Sequence, residues 1–201
     1  MLIAKANLNN AKDIFKRALE KSEPVIFPTD TIYGIGAPIA DTSANEKIFE
    51  IKGREQNKPF PVLVSCISQL EDIAIVENAE QTRLIEKLWP APVTLILKAK
   101  SWLPELYTLD GTIAVRMPDK KWLCEMIQST GPISATSANL SGKPYENNFK
   151  TITEMFQKHV DFYIYDKHIA DSSSALIDIS SSKFKILRKS TLITNIDRIL
   201  D

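Results

Sequence analysis

The sequence predicts a single α/β domain, residues 1–201, built on a mixed sheet flanked by helices. The chain has the length of one domain, and its 44% hydrophobic and 25% charged residues are ordinary for a soluble globular protein. Helical and extended apolar patterns alternate from end to end without a linker or repeat. Extended runs follow one another directly within 93–116 and within 162–188, so antiparallel pairing is expected beside the parallel pairing of a regular α/β fold.

The first half of the chain alternates helices and strands. Residues 10–21 carry apolar side chains at three- and four-residue spacing, which indicates an amphipathic helix. Two helices are predicted from capping boxes, a Ser followed three residues later by Glu, at Ser43–Glu46 and Ser68–Glu71. The elements predicted here are, in order, helix 10–21, strand 24–27, helix 43–52, strand 62–64, a helix from Ser68, helix 78–88 and strand 93–97.

The second half contains more extended runs. A further capping box, Thr151–Glu154, predicts one of its helices. Short runs rich in β-branched and aromatic residues predict the strands. The elements predicted here are strand 112–116, helix 119–129, strand 132–135, a helix capped at Thr151, extended runs 162–165, 175–179 and 184–187, and a helical tail over 192–200.

Charge and hydropathy exclude several classes of protein. Twenty-five basic and twenty-five acidic residues cancel, so bulk charge gives no argument for binding nucleic acid or a membrane surface. No apolar run approaches the roughly 18 residues that a membrane span needs. The N-terminal residues lack the apolar core of a secretory signal, so a cytoplasmic protein is expected.

Cysteine and histidine usage argues against a metal centre. Cys66 and Cys124 are far apart, and the histidines are His159 and His168. A zinc site usually needs three or four clustered ligands, so no protein-held metal is predicted. Buried free thiols are expected in preference to a disulfide.

Glycine is scarce, and its placement indicates where the backbone has special demands. There are six glycines, where a chain of this length averages about fourteen. Scarce glycine is expected where φ is positive or where the backbone closely approaches a ligand, although all six could simply be turn residues. Polar junctions containing glycine are found at 28–37, 52–59 and 134–142.

Each junction has a functional and an ordinary structural interpretation. Thr29, Asp30 and Thr31 could orient a small polar ligand or hydrogen-bond a turn. The cations of 52–58 could grip phosphates, or could complement a helix dipole. The hydroxyls and amide of 134–142 suit a polyphosphate cradle, whereas a serine hydrolase is disfavoured because no Gly-x-Ser-x-Gly elbow is present. Arg116 and Arg188 are possible anion partners or surface ion pairs.

Together these motifs resemble the YrdC-like threonylcarbamoyl-AMP synthases, over about residues 10–190 with a short tail at 191–201. The most specific signature is the Lys-x-Arg and Ser-x-Asn pair, Lys52, Arg54, Ser137 and Asn139. The segments that carry the resemblance are PTDTIYGIGA at 28–37, KGR at 52–54, KPFPVLVS at 58–65, WPAPVT at 89–94, TIAVRMP at 112–118, SATSANLSG at 134–142, SSALID at 173–178 and ILR at 186–188.

The resemblance implies a twisted mixed sheet with a deep, positively lined cavity, in the short bacterial-type form. It implies synthesis of threonylcarbamoyl-adenylate and pyrophosphate from L-threonine, bicarbonate and ATP with Mg²⁺, for threonylcarbamoyladenosine in tRNA. Hand-over to the tRNA threonylcarbamoyl transferase proteins and weak contact with tRNA or double-stranded RNA would follow. The alternatives are an RNA-binding or ribosome-maturation module of the same fold and a catalytically silent paralogue.

The resemblance also assigns roles to residues. Lys52, Arg54, Ser137 and Asn139 would be catalytic. The residues implied in nucleotide binding are these four with Lys58, Thr112, Tyr145 and Arg188. The residues implied in threonine binding are Thr31, Arg116, Ala135 and Ser174. The sequence departs from the family pattern at Leu63, Ala91, Ala175 and Ser190.

Overall fold

The computed structural model describes residues 1–53, 59–167 and 169–194. Within them it contains the strands β1 Leu2–Lys5, β2 Val25–Pro28, β3 Tyr33–Gly36, β4 Val62–Leu63, β5 Ala74–Ile75, β6 Val93–Ala99, β7 Thr108–Leu109, β8 Thr112–Arg116, β9 Ile133–Ser134, β10 Thr136–Ser137, β11 Phe162–Tyr165, β12 Ala175–Asp178 and β13 Lys185–Arg188. The helices are α1 Leu8–Leu19, α2 Thr42–Lys52, α3 Ile67–Ile73, α4 Ala79–Leu88, α5 Lys121–Thr130 and α6 Phe149–Phe156.

The strands form two mixed sheets. The first has the order β1-β11-β2-β3-β10, parallel as far as β2 and antiparallel after it. The second has the order β13-β12-β6-β8-β4-β9, with β5 beside β6 and β7 beside β8; the pairs β12–β6 and β4–β8 are parallel. The mixed α/β class is therefore confirmed, but two sheets replace the one predicted. The chain passes from the second to the first at Ala135, which separates β9 from β10.

Two apolar clusters hold the layers together. Alternate residues of β2 divide between them, because successive side chains of a strand point to opposite faces. Ile26 belongs to the larger cluster, whereas Val25 and Phe27 pack with the apolar faces of α1 and α5. The smaller cluster thus attaches a helical layer to the first sheet.

The six helices predicted between residues 10 and the segment after Thr151 are found, but the three capping boxes are wrong. The helical tail predicted over 192–200 lies largely outside the described residues and stays a prediction. Helix α2 is capped by Asp41, whose Oδ1 accepts from the Ala44 N–H at 3.0 Å. Helix α6 is capped by Asn148, and α3 begins after Cys66 without a side-chain cap. Ser43, Ser68 and Thr151 lie inside the first turns, because an upstream residue takes the cap position of each helix. In α2 and α6 that residue is Asp or Asn, which caps at least as well as Ser or Thr.

Part of the polar junction 28–37 is a buried strand and not a loop. Tyr33–Gly36 forms β3, which pairs with β2 in a hairpin whose turn holds Thr29, Asp30 and Thr31. Its two glycines hide the strand pattern. At Gly36 an added Cβ would lie 1.8 Å from the Ser134 carbonyl oxygen, so glycine is required there by close backbone approach. Strands β1, β5, β7 and β10 are also absent from the sequence predictions.

The two cysteines are free, as predicted, although both are half-buried and not fully buried. The Ser68 hydroxyl, 3.2 Å from Sγ, lowers the pKa of the Cys66 thiol, whereas burial raises the pKa of Cys124. Because the thiolate is the nucleophile, we expect iodoacetamide at neutral pH to alkylate Cys66 at least about tenfold faster than Cys124. Peptide mass spectrometry over time measures both rates, with Cys66→Ser as control. Equal rates would contradict this expectation.

Among the described residues, no helix has the length and apolar character that crossing a bilayer requires. In the same part of the chain, no group of three or more Asp, Glu, His or Cys side chains is arranged to hold a metal ion.

Candidate functional site

A cavity of about 370 Å³ opens where the two sheets meet. Strand ends and turns from both sheets form its wall. The two sheets adjoin because the chain crosses from one to the other at Ala135. The lining residues of the cavity are Thr29, Thr31, Ile32, Tyr33, Gly34, Pro59, Pro61, Leu63, Thr94, Ile96, Ala114, Arg116, Ala135, Thr136, Ser137, Ser173, Ser174, Leu176 and Arg188.

Arg116, at the end of β8, is the buried cation of this cavity. Its Nη1 donates to Thr31 Oγ1 at 2.9 Å and lies 3.4 Å from Asp30 Oδ1. Burial lowers the pKa of the Arg116 guanidinium, the nearby Asp30 carboxylate opposes that shift, and the positive charge of Arg188 adds to it. An arginine remains protonated in this setting, so the cavity contains a desolvated positive charge.

Arg188, at the end of β13, supplies a second guanidinium. Its Nε donates to the Ser174 carbonyl at 2.9 Å, and the Ser174 hydroxyl lies 2.8 Å from that of Thr94. Burial lowers the pKa of Arg188 as well. No salt bridge joins Arg188 to an acid among the described residues, and no Asp or Glu is among those that line the cavity. Two charged guanidinium groups in a polar pocket, of which one has a nearby carboxylate and the other has none, favour an anionic ligand.

The loop after β10 is held by a lysine from α2. Lys52 is 3% exposed, and its Nζ donates to the carbonyl oxygens of Ser137 and Asn139, the latter at 2.5 Å. The Ser137 hydroxyl donates to Asn139 Oδ1 at 2.5 Å, and Asn139 Nδ2 donates to the Lys143 carbonyl at 2.6 Å. These bonds fix Ser137 at the cavity wall.

Most of the predicted site residues therefore come together. Those that line the cavity are Thr31, Arg116, Ala135, Ser137, Ser174 and Arg188. Lys52 and Asn139 adjoin Ser137 through the bonds above, and Tyr145 adjoins the wall because its hydroxyl accepts from the Tyr33 N–H at 2.9 Å. Burial raises the pKa of Tyr145 to about 12, so its hydroxyl is neutral at physiological pH.

One predicted residue, Thr112, is placed away from the cavity wall. Thr112 lies on the same face of β8 as Arg116 but at the opposite end, where its hydroxyl donates to the Leu109 carbonyl at 2.7 Å. Arg54 and Lys58 lie outside the described residues. Their roles stay predictions.

Sequence reasoning assigned no role to several lining residues, of which Thr94 is the clearest. Thr94 is a buried hydroxyl within 93–97, the apolar part of strand β6. A single polar residue in an otherwise apolar run is a signal that could have identified it, because a buried hydroxyl needs a partner. Ser174 provides that partner.

The departures from the family pattern fit the structure in different ways. Leu63 adds an apolar wall to the cavity, and Ala175 is fully buried in the core. The Ala91 N–H donates to the Met117 carbonyl at 3.1 Å. The Ser190 hydroxyl donates to the Ser173 carbonyl at 2.7 Å, which ties the chain after β13 to the rim of the cavity.

Known proteins are similar to this chain in sequence and in fold. A Bacillus subtilis protein named threonylcarbamoyl-AMP synthase is 43% identical over 129 residues, 63% of this chain and 37% of that protein. A Pyrococcus abyssi protein of the same name is 36% identical over 167 residues, 82% of this chain and 47% of that protein. The chain thus spans less than half the length of these two relatives.

A solved structure, P. abyssi Sua5 complexed with L-threonine, superposes with a TM-score of 0.85. It is 30% identical and covers 94% of this chain and 58% of its own. The model of the Sua5/YciO/YrdC family, described as "Telomere recombination", matches residues 17–190. That match covers most of the chain, which therefore belongs to the Sua5/YciO/YrdC family.

Proposed function

We propose that the protein is an L-threonylcarbamoyladenylate synthase that forms threonylcarbamoyl-AMP and pyrophosphate from L-threonine, bicarbonate and ATP. The observation that carries the proposal is the placement of Arg116 and Arg188 in one hydroxyl-rich cavity without a lining carboxylate. Such a cavity suits a ligand with more than one anionic group, as the reactants together provide. The names of the relatives and the L-threonine complex of P. abyssi Sua5 support it.

The threonine end of the site would be the half of the cavity around Arg116. The guanidinium would receive the amino-acid carboxylate, and Thr31, Ser174 and the backbone at Ala135 would orient the rest of the molecule. Arg116 and Thr31 are already hydrogen-bonded to each other at 2.9 Å, so the pair needs little reorganisation on binding.

The nucleotide would occupy the half between Arg188 and the Ser137–Asn139 loop. Arg188, Ser137 and Asn139 would contact the phosphates, and Lys52 would hold the loop for them. Arg54, Lys58, Thr112 and Tyr145 are proposed as further nucleotide contacts. Mg²⁺ would enter with ATP, bound by phosphate oxygens and water, which matches the oxygen ligands that the ion prefers.

The chemistry requires alignment more than a protein nucleophile. The threonine amine condenses with bicarbonate to a carbamate with loss of water, and a carbamate oxygen then attacks the α-phosphorus. The bond between that phosphorus and the bridging oxygen breaks, and pyrophosphate leaves. Fixed cations stabilise the charge that develops on the phosphates, and the cavity holds the two reacting groups together.

The product is a mixed anhydride, which water hydrolyses, so it has to react with its acceptor quickly. We therefore propose that it passes to the tRNA threonylcarbamoyl transferase proteins in the cytoplasm, with at most weak contact to RNA by this chain. An RNA-binding or ribosome-maturation module of the same fold is the competing function. Zero net charge disfavours it, because nonspecific RNA affinity depends on positive charge.

Pyrophosphate release from ATP and Mg²⁺ tests the proposal, with L-threonine and bicarbonate omitted in turn. We expect release that requires both co-substrates and no RNA. Release that is independent of either would contradict the synthase. Intact ATP binding without release would favour a silent paralogue, and salt-dependent RNA affinity without release would favour the RNA module.

A further inference from the structure

Asp30 is a buried carboxylate that contacts Arg116 but is not among the residues that line the cavity. Its side chain is 6% exposed. Oδ2 accepts from the Asp119 N–H at 3.1 Å, whereas Oδ1 accepts no hydrogen bond among the described residues and lies 3.4 Å from Arg116 Nη1. A buried carboxylate oxygen without a hydrogen bond is costly, so its nearness to a guanidinium is its main compensation.

The same nitrogen of Arg116 also meets Thr31. Oγ1 of Thr31 accepts from Nη1 at 2.9 Å, and Thr31 in turn is hydrogen-bonded to Thr29 at 2.8 Å. Thr31 therefore contacts this nitrogen by a hydrogen bond, and Asp30 contacts it by charge attraction alone. Within the described part of the chain, the Nε and Nη2 of Arg116 donate no hydrogen bond, and a guanidinium offers such a pair to both oxygens of a carboxylate.

We propose that Asp30 is a positioning residue, which anchors Arg116 at Nη1 and so keeps the other donors of the guanidinium set for the carboxylate of the amino-acid substrate. This proposal rests on the proposed synthase function. It differs from simple charge compensation, because the two roles predict opposite effects of removing the Asp30 charge. Loss of a nearby negative charge alone would make the cavity more positive and tighten binding of an anion. Loss of anchoring would weaken it.

Asp30→Asn separates these roles with little change in size. An amide cannot serve both contacts of the carboxylate, since in either orientation its NH₂ group faces a donor, the Asp119 N–H or Arg116 Nη1. We expect the KM for L-threonine to rise about tenfold, because a guanidinium that is no longer aligned loses part of its paired contact with the substrate carboxylate. The KM for ATP should stay within about twofold, because the change is on the threonine side.

A double-mutant cycle tests whether Asp30 acts through Arg116. In an Arg116→Ala background, Asp30→Asn should leave the threonine KM unchanged, because the group being positioned is gone. The matched control is Glu23→Gln, which removes an acid paired with Lys47 at 2.7 Å and lies away from the cavity residues. A lowered threonine KM in Asp30→Asn, or an equal increase in both backgrounds, overturns the proposal.

Nitrogen NMR of the arginine side chains in the substrate-free protein gives a readout that does not need turnover. An anchored Nη1 restricts rotation of the Arg116 guanidinium, and we expect Asp30→Asn to make that rotation measurably faster, with the Thr31 hydrogen bond remaining, while Glu23→Gln leaves it unchanged. Unchanged Arg116 signals would overturn the proposal even in an active enzyme. If wild-type protein releases no threonine-dependent pyrophosphate, the synthase function fails, and the NMR result alone still decides whether Asp30 anchors Arg116.

Discussion

Replacing Gly36 with alanine is expected to lower the free energy of unfolding by at least about 3 kcal/mol, at the upper end of what an added methyl group costs in a packed interior. The added Cβ would lie 1.8 Å from the Ser134 carbonyl oxygen and 2.9 Å from its carbon. These atoms are backbone, so they cannot swing aside as a flexible side chain would. Ser134 is further fixed by its N–H, which donates to the Ala37 carbonyl at 2.8 Å.

Gly34 provides the matched control, because it lies on the same strand, is equally buried and lacks the clash. A Cβ there would meet the Thr136 carbonyl at 3.4 Å. Gly34→Ala should therefore change stability by less than about 1 kcal/mol, within the range of tolerated small changes. Chemical denaturation of both variants measures the difference. A Gly36→Ala protein as stable as Gly34→Ala would mean that β3 and Ser134 do not approach as closely as described.

The contact at Gly36 also explains which part of the fold the sequence could predict. Local apolar patterns identify the helices and most strands, since burial of one face determines both. Gly36 is close to Ser134 only because the chain crosses between the sheets at Ala135. The sequence does show that glycine is scarce and clustered near polar junctions. It does not show which distant backbone each glycine must accommodate.

The division into two sheets has the same origin. Strands β9 and β10 read as one strand and a polar loop, because only Ala135 separates them and the hydroxyl residues resemble a turn. Their partners, β4 for β9 and β3 for β10, are distant in sequence. Pairing between distant strands depends on tertiary packing that no local window contains.

Residue types that are chemically unusual for their positions predict the site. Arg116 and Arg188 at strand ends and the hydroxyl-rich segment 134–142 indicate an anion site, and the family resemblance implies a role for each. Lys52 shows the limit of this reasoning. A lysine at a helix end suggests contact with phosphate or with the helix dipole, yet its ammonium donates to two carbonyl oxygens across the cavity wall.

Lys52→Met is the second substitution with a large expected effect, a loss of about 10² to 10³-fold in kcat for pyrophosphate release. This is the range seen when one preorganised electrostatic contact is removed from a site. Methionine fills a similar volume without the charge, so the packing of α2 should persist. The carbonyl oxygens of Ser137 and Asn139 would lose their donor, and the loop that presents the Ser137 hydroxyl would no longer be fixed.

Lys47→Met is the control, because Lys47 belongs to the same helix and its Nζ pairs with Glu23 at 2.7 Å, away from the residues that line the cavity. It should keep kcat within about threefold, since this partly exposed ion pair is remote from the cavity and such pairs contribute little. Circular dichroism should show both variants folded. If Lys52→Met retained near wild-type kcat, fixing the Ser137–Asn139 loop would have no part in catalysis. If Lys52→Met were unfolded, the main role of the lysine would be structural. The anchored Ser137–Asn139 loop would then be required for the stability of both sheets.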